Sequence, residues 1–412
     1  MAETPLSPHR VRGARENDLP AYVGNGLVGL RIREVPLLAG ACIVSGVVGL
    51  HPDDGLEAAI SVPYPLGGDI GVGEAWLSEQ PWSAGELEQQ YDFATGELSS
   101  MFVVRMEDVA LRAKVVTFAS RTNPALVLQQ VELTSDQPCA VRLRATIAIA
   151  DARGHATERD IGEGVEVGDG AMLWRPEGEM SCCGIAYHSR CVVAEGEPQF
   201  RQKYGSGPLT TEYRVGLKPG KAVRIEHITA LISSASHHRP KQEAVRHLAQ
   251  GILLGFEKLR MLNREDWSHL WRSRITVDGA SRAHQRLIDA GFFYLNSSAH
   301  LSSPAATSMF GLASWPNYNY YYGHVMWDID AFCVPPLLLI QPDAARSLLD
   351  FRARRQDAAW ACAKLHGHRG LRFPWEAAPL SGEEASPGAG SAAVNAAHVS
   401  LHVARALPCM PT

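Results

Sequence analysis

Val141-Arg142-Leu143-Arg144-Ala145-Thr146-Ile147-Ala148-Ile149 places an apolar side chain at every second position, with Arg, Thr or Ala between. Successive side chains of a strand face opposite ways, so this stretch reads as a strand with one buried and one wetter face. Val109, Leu111, Ala113 and Val115 repeat the pattern against Arg112 and Lys114, and Val223 and Ile225 against Arg224 and Glu226. Turn residues separate the segments, as in Pro63-Tyr64-Pro65-Leu66-Gly67-Gly68, Arg121-Thr122-Asn123-Pro124 and Lys218-Pro219-Gly220. The strand period holds from Ala21 to Ser233 with no helical run between, which predicts an antiparallel β-sandwich.

The period changes after Pro240. Ala244, Leu248, Ile252, Leu253, Phe256, Leu259 and Leu262 recur at helical spacing and predict one long amphipathic helix. Asp266-Trp267-Ser268-His269-Leu270-Trp271 follows. Further helices are expected over 283–300, 326–340, 342–366 and 392–406. The expected layout is multidomain β + α: a β-sandwich domain over 1–236, a helical linker over 237–280 and an all-helical part over 281–412.

The 412 residues exceed one ordinary core, and a net charge of −5 leaves no basic excess for a phosphate backbone, which argues against nucleic acid as a partner. No apolar run is long enough to span a bilayer; Ala331–Ile340 is the longest and is expected to be buried. The first twenty residues lack the apolar core of a secretory signal. Eight cysteines without C-x-x-C spacing point to reduced thiols in a cytoplasmic protein. No cofactor or metal is expected, and His237-His238 and His366-Gly367-His368 read as loop residues rather than ligands.

Two aromatic blocks stand beside acidic residues. Trp315-Pro316-Asn317-Tyr318-Asn319-Tyr320-Tyr321-Tyr322-Gly323-His324 runs into Trp327-Asp328, and Arg372-Phe373-Pro374-Trp375-Glu376 precedes Ser381-Gly382-Glu383-Glu384. A sugar offers apolar C–H faces to a ring and hydroxyl protons to a carboxylate, so these blocks suit a sugar site. Aromatic loops closing over a core have the same composition. Glycoside cleavage needs two carboxyl groups flanking the bond. Asp328 and Asp330 cannot be that pair on a helix, where positions two apart diverge, whereas His324 and Asp328 would share a face. Asp328 with Glu376 or Glu384 is left open by the sequence.

Tyr322-Gly323-His324-Val325-Met326-Trp327-Asp328-Ile329-Asp330 resembles the G-H-x-x-W-D-x-[DE] signature of glycoside hydrolase family 65. Pro342-Asp343-Ala344-Ala345-Arg346, Arg352-x-Arg354, Phe373-Pro374-Trp375-Glu376, Ser381-Gly382-x-Glu384 and His398 continue in the family's order. Gly24-Asn25-Gly26-Leu27-Val28-Gly29-Leu30-Arg31 is similar to its opening strand, and Asp266-Trp267-x-x-Leu270-Trp271 to its connector. Within the family the chain most resembles the protein-glucosylgalactosylhydroxylysine glucosidase branch, whose members are hydrolases; disaccharide phosphorylases form the other main branch. The resemblance implies a β-sandwich, a helical linker, an (α/α)6 barrel and a small C-terminal β domain.

It also implies that Trp327 and Asp328 grip the non-reducing glucose, with His324, Arg372, Trp375 and Glu376 lining the same pocket. Core packing is the competing role for Trp375, and a salt bridge for Glu376. Arg352, Arg354 and Arg355 read as a wetted helix face. The expected reaction is inverting cleavage of a terminal α-linked glucose from a small α-glucoside. In a phosphorylase, inorganic phosphate would replace the water. A non-catalytic carbohydrate-binding protein is the reading from another class. The resemblance puts the general-acid glutamate beyond Thr412, so the expectation is an incomplete barrel in an inactive, truncated chain.

Overall fold

A computed structural model describes residues 9–12, 21–33, 35–38, 40–51, 55–80, 87–150, 152–161, 167–194, 198, 200–204, 207–308, 311–312 and 320–385. Two antiparallel sheets face each other. The larger has nine strands in the order His9–Arg12, Glu88–Asp92, Glu97–Met106, Val109–Ala119, Leu126–Ser135, Val223–Ser233, Cys183–Val192, Gly170–Pro176 and Gly154–Ile161. The smaller has five, in the order Phe200–Tyr204, Thr210–Leu217, Cys139–Ala148, Tyr64–Val72 and Ala75–Trp76. The alternation in the sequence sets which side chains meet between them. Val141, Leu143 and Ala145 of the small sheet share a buried cluster with Leu111, Val115, Val131 and Ile225 of the large one. Arg142 and Arg144 face the other way and stack on Trp76. The expected β-sandwich is therefore present.

The helical part begins with α1 (Pro240–Leu254) and α2 (Phe256–Leu270), where one long helix was expected. Gly255 separates them at φ 77°, a conformation that suits glycine and breaks the hydrogen-bond ladder. α1 lies on the large sheet, and Gly184 permits the approach: a Cβ there would stand 2.1 Å from the Pro240 carbonyl oxygen. α3 (Arg282–Ser297) matches expectation, capped by the Ser281 hydroxyl, which accepts from the His284 N–H at 3.2 Å.

α2 and α3 meet the strands through stacked aromatics. Phe293 lies 4.4 Å from Phe93 and 4.7 Å from Trp267, ring centre to ring centre. The Trp271 indole donates to the Phe93 carbonyl at 2.7 Å. Arg121, from the turn between two large-sheet strands, enters the helices with its charge buried. Its Nε donates to Asp266 at 2.9 Å, Nη1 to the Asn296 carbonyl at 2.6 Å and Nη2 to Gln341 at 3.0 Å.

The remaining helices are shorter than expected. In place of a helix over 326–340 there is a two-residue strand, Val325–Met326, a π-helical turn, Ile329–Cys333, and α4 (Val334–Ile340). The span 342–366 divides into α5 (Pro342–Ala353) and α6 (Gln356–Leu365). The run expected to be buried is only half so: Val334 and Leu337 are enclosed, while Phe332 and Leu339 are exposed. The helix expected over 392–406, with His398, lies outside the described residues. Among the described residues, seven cysteines are free, and no helix is long and apolar enough to cross a membrane.

Candidate sugar-binding site

The turn before Trp327 is strained. Tyr321 and Tyr322 sit in the left-handed region at φ 53° and 51°, unfavourable for side chains with a Cβ, and Gly323 follows at φ 74°. A Cβ on Gly323 would stand 2.5 Å from that of Ala59. The turn thus rests against the hairpin of strands Val48–Leu50 and Glu57–Ala59, and His51 of that hairpin meets the Tyr322 ring at 4.6 Å. Strain of this kind, followed by a π turn, marks a segment held in place by its surroundings.

Val325–Met326 pairs with Glu376–Ala377, Met326 opposite Glu376, and the Trp327 N–H donates to the Trp375 carbonyl at 2.7 Å. This short ladder brings together two sequence blocks separated by about fifty residues. His324 lies beneath it. Its Nδ1 is 2.8 Å from Glu376 Oε1 and its Nε2 is 2.7 Å from the Glu57 carbonyl oxygen, and His324 and Glu376 are both buried. The helical face expected for His324 and Asp328 is absent, because His324 lies in no helix and the strand Val325–Met326 stands between the two.

Trp327 and Asp328 are half-buried. Burial raises the Asp328 carboxyl above its ordinary range, opposed by a hydrogen bond from its own backbone N–H. Among the described residues no cation pairs with it. Trp375 is half-buried, and its enclosed indole N–H has no hydrogen-bond partner among the described residues. The exposed Tyr321 ring stands edge-on to Trp375 and Phe332 edge-on to Trp327, with ring centres 6.5 Å and 5.4 Å apart. The arrangement combines aromatic surface, a carboxylate with no cation partner among the described residues and an N–H donor unused among them, groups of the kind suited to a sugar ring.

Arg372 takes another position. It is buried, and its Nη1 donates to Cys362 Sγ at 3.2 Å and to Glu384 Oε2 at 3.4 Å. The expected wetted arginine face is corrected at Arg352. That side chain is 2% exposed and donates from Nη2 to Asp330 at 2.8 Å, because Asp330 turns inward on the π turn and needs a buried cation. Arg354 is exposed, while Arg355 stacks on Phe351 and donates to the Leu380 carbonyl at 2.7 Å.

Glu57 was not anticipated. Its carboxylate accepts from the backbone N–H groups of Leu380 and Ser381, the latter at 3.0 Å, so one hairpin holds both edges of the ladder. Nothing in the sequence near Glu57 signals this, since its partners lie more than 300 residues on.

The model for the N-terminal domain of glycosyl hydrolase family 65 matches residues 20–270, and that for the family's central catalytic domain matches residues 317–409. The kojibiose hydrolase of Mucilaginibacter mallensis is 30% identical over 315 residues, 74% of this chain and 45% of that protein. The kojibiose phosphorylase of Escherichia coli K12 is 26% identical over 391 residues, 88% of this chain and 48% of that protein. The protein-glucosylgalactosylhydroxylysine glucosidase of Gallus gallus is 30% identical over 170 residues, 40% of this chain and 23% of that protein. This chain spans about half the length, or less, of these curated relatives. A solved structure from the human microbiome, provisionally named kojibiose phosphorylase, superposes with a TM-score of 0.76 at 16% identity, over 93% of this chain and 53% of that one, a likeness of fold. With the first of these models covering well over half of the sequence, the chain belongs to glycosyl hydrolase family 65.

Proposed function

We propose that this chain holds the terminal glucose of a small α-glucoside for inverting hydrolysis, with Trp327 and Asp328 as the primary grip. The observation that carries the reading is the ladder of Val325–Met326 with Glu376–Ala377, extended by the Trp327 N–H bond to the Trp375 carbonyl, which brings the Trp327-Asp328 and Trp375-Glu376 blocks together. Among the described residues Asp328 has no cation partner and the Trp375 indole N–H no hydrogen bond. In this reading Trp327 and Trp375 cover the C–H faces of the ring, and Asp328 accepts from its hydroxyls. His324 and Glu376, paired beneath the ladder, position those two rather than reach the sugar. Arg372 acts from behind through Glu384.

Inverting cleavage requires an acid to protonate the leaving oxygen and a base to direct water at the opposite face of the anomeric carbon. Neither role is assigned to a residue of this chain. The relatives named kojibiose hydrolase and glucosylgalactosylhydroxylysine glucosidase support hydrolysis and a disaccharide-sized substrate. The domain division at 1–236, 237–280 and 281–412, with the last part as the opening of an (α/α)6 barrel, belongs to the same reading. The passage from strands to helices between Ser233 and Pro240 supports it. Among the described residues seven thiols are free, which supports a reducing, cytoplasmic setting.

Titration of the purified chain with glucose and with kojibiose, followed by tryptophan fluorescence, tests the grip. A carboxylate hydrogen bond to a hydroxyl contributes about 1.5–3 kcal/mol, so Asp328→Asn should weaken binding roughly 10- to 100-fold. Unchanged affinity would remove Asp328 from the site. The second reading is phosphorolysis, favoured by the similarity to the E. coli kojibiose phosphorylase over most of the chain. Glucose 1-phosphate formed only when inorganic phosphate is added would select it over hydrolysis.

A further inference from the structure

We propose that Cys362, His366 and Glu384 form a binding site for one divalent cation of the zinc class. Cys362 lies in the last turn of α6 and His366 caps that helix, four positions on and hence on the same face. Glu384 reaches them from the corner after Ser381, where Ala377 bridges to Glu384. His366 Nε2 lies 3.1 Å and Cys362 Sγ 3.7 Å from Glu384 Oε2, and all three donor atoms fall within 4.8 Å of one another. Metal–sulfur and metal–nitrogen bonds of about 2.3 and 2.0–2.1 Å, at a tetrahedral angle, place ligand atoms roughly 3.3–3.6 Å apart.

A second observation points to a missing partner. Glu384 is 6% exposed in its side chain, and its second oxygen, Oε1, is enclosed and has no hydrogen bond among the described residues, while Oε2 lies against Cys362, His366 and Arg372. A buried carboxylate oxygen left unpaired is costly unless a cation or donor occupies the space beside it. The His366 side chain is one-third exposed, which provides a route of entry and room for water as the fourth ligand.

Arg372 is compatible with this role. Its Nη1, 3.2 Å from Cys362 Sγ, would donate to the bound thiolate, as outer hydrogen bonds to metal ligands commonly do. Loading the site releases the thiol proton to solvent. The ion would tie the end of α6 to the corner that bridges to the ladder strand. This proposal does not rest on the sugar reading.

Adding Co2+ to the purified chain tests it. The expected result is a thiolate-to-cobalt charge-transfer band and tetrahedral visible bands, saturating at one equivalent and removed by Zn2+. Cys362→Ser should abolish the charge-transfer band. His366→Gln, at an exposed position, should weaken cobalt affinity at least tenfold with the circular dichroism spectrum unchanged. Absence of a saturable band in the wild-type chain, or a band of equal strength in Cys362→Ser, overturns the proposal.

Discussion

Arg352 and Asp330, twenty-two positions apart, form a buried ion pair, with Nη2 donating to Oδ2 at 2.8 Å and Nε at 3.2 Å. Arg352 Nη1 also donates to the Pro374 carbonyl at 3.4 Å. One guanidinium thus spans the π turn behind Asp328 and the segment leading into Trp375. Removing one member of a buried pair leaves the other charge without compensation, at a cost of about 3–5 kcal/mol. Arg352→Met should lower the denaturation midpoint by that amount in free energy. The double variant Arg352→Met with Asp330→Leu should recover much of it, because no charge then stays buried. A double variant as unstable as the single one would show that the pair does more than neutralise itself.

Arg121 joins the sandwich to three helical segments. Arg121→Met deletes its hydrogen bonds to Asp266, Asn296 and Gln341 and its stacking on Trp267, while retaining most of its bulk. The expected loss is about 3 kcal/mol or more. Hydrogen exchange should quicken first at the end of α3 and the junction of α4 and α5. Protection lost uniformly across the sandwich instead would place the role of Arg121 within the β domain.

His300 sets an acid limit on stability. Burial, followed by the charge on Arg121, lowers its pKa to about 4, and burial lowers that of His227 to about 3. An unfolded histidine takes up its proton near pH 6.5, so the folded state binds fewer protons than the unfolded one below that value. The stabilisation is complete above pH 6.5 and is lost as pH falls through 4. Each histidine contributes a slope of about 1.4 kcal/mol per pH unit within its window. His300→Asn, whose side-chain oxygen can accept from the Ser302 N–H as Nδ1 does, should flatten the stability profile between pH 6.5 and 4. Denaturant midpoints at half-unit pH intervals would show this, and an unaltered slope would exclude His300 as the source.

Glu57 holds the 380–381 corner through two backbone N–H groups. Glu57→Ala leaves those donors unpaired at a cost of about 1–3 kcal/mol, and Glu57→Gln retains one acceptor oxygen. Amide exchange at Leu380 and Ser381 should quicken roughly 10- to 100-fold in the alanine variant and less in the glutamine variant. Equal protection in all three proteins would mean that other contacts hold the corner.

What the sequence determined by itself was local. The alternation at Val141–Ile147 fixed which face of its strand is buried, since the side-chain period of a strand allows no other choice once one face is apolar. The change of period at Pro240 fixed where strands give way to helices. The Trp-Asp and Phe-Pro-Trp-Glu blocks were legible as candidate sugar-contacting segments because their residue types already carry the needed chemistry. Local pattern was misleading where one residue breaks a periodic run, as at Gly255.

The tertiary structure decided what depends on partners distant in the chain. Arg352 follows an ordinary helical pattern and looks wetted, yet it is buried because Asp330, on a π turn, faces inward. Arg372 turns to Cys362 and Glu384, and His324 to Glu376 and the Glu57 carbonyl. Burying a charge or a polar hydrogen requires a matched partner within about 3 Å, and only the packing of the whole chain brings that partner there. The Trp327-Asp328 corner was therefore readable in the sequence as chemistry. Its setting, with a strained turn before it, an arginine behind it and a hairpin of the β domain beside it, was decided by the fold.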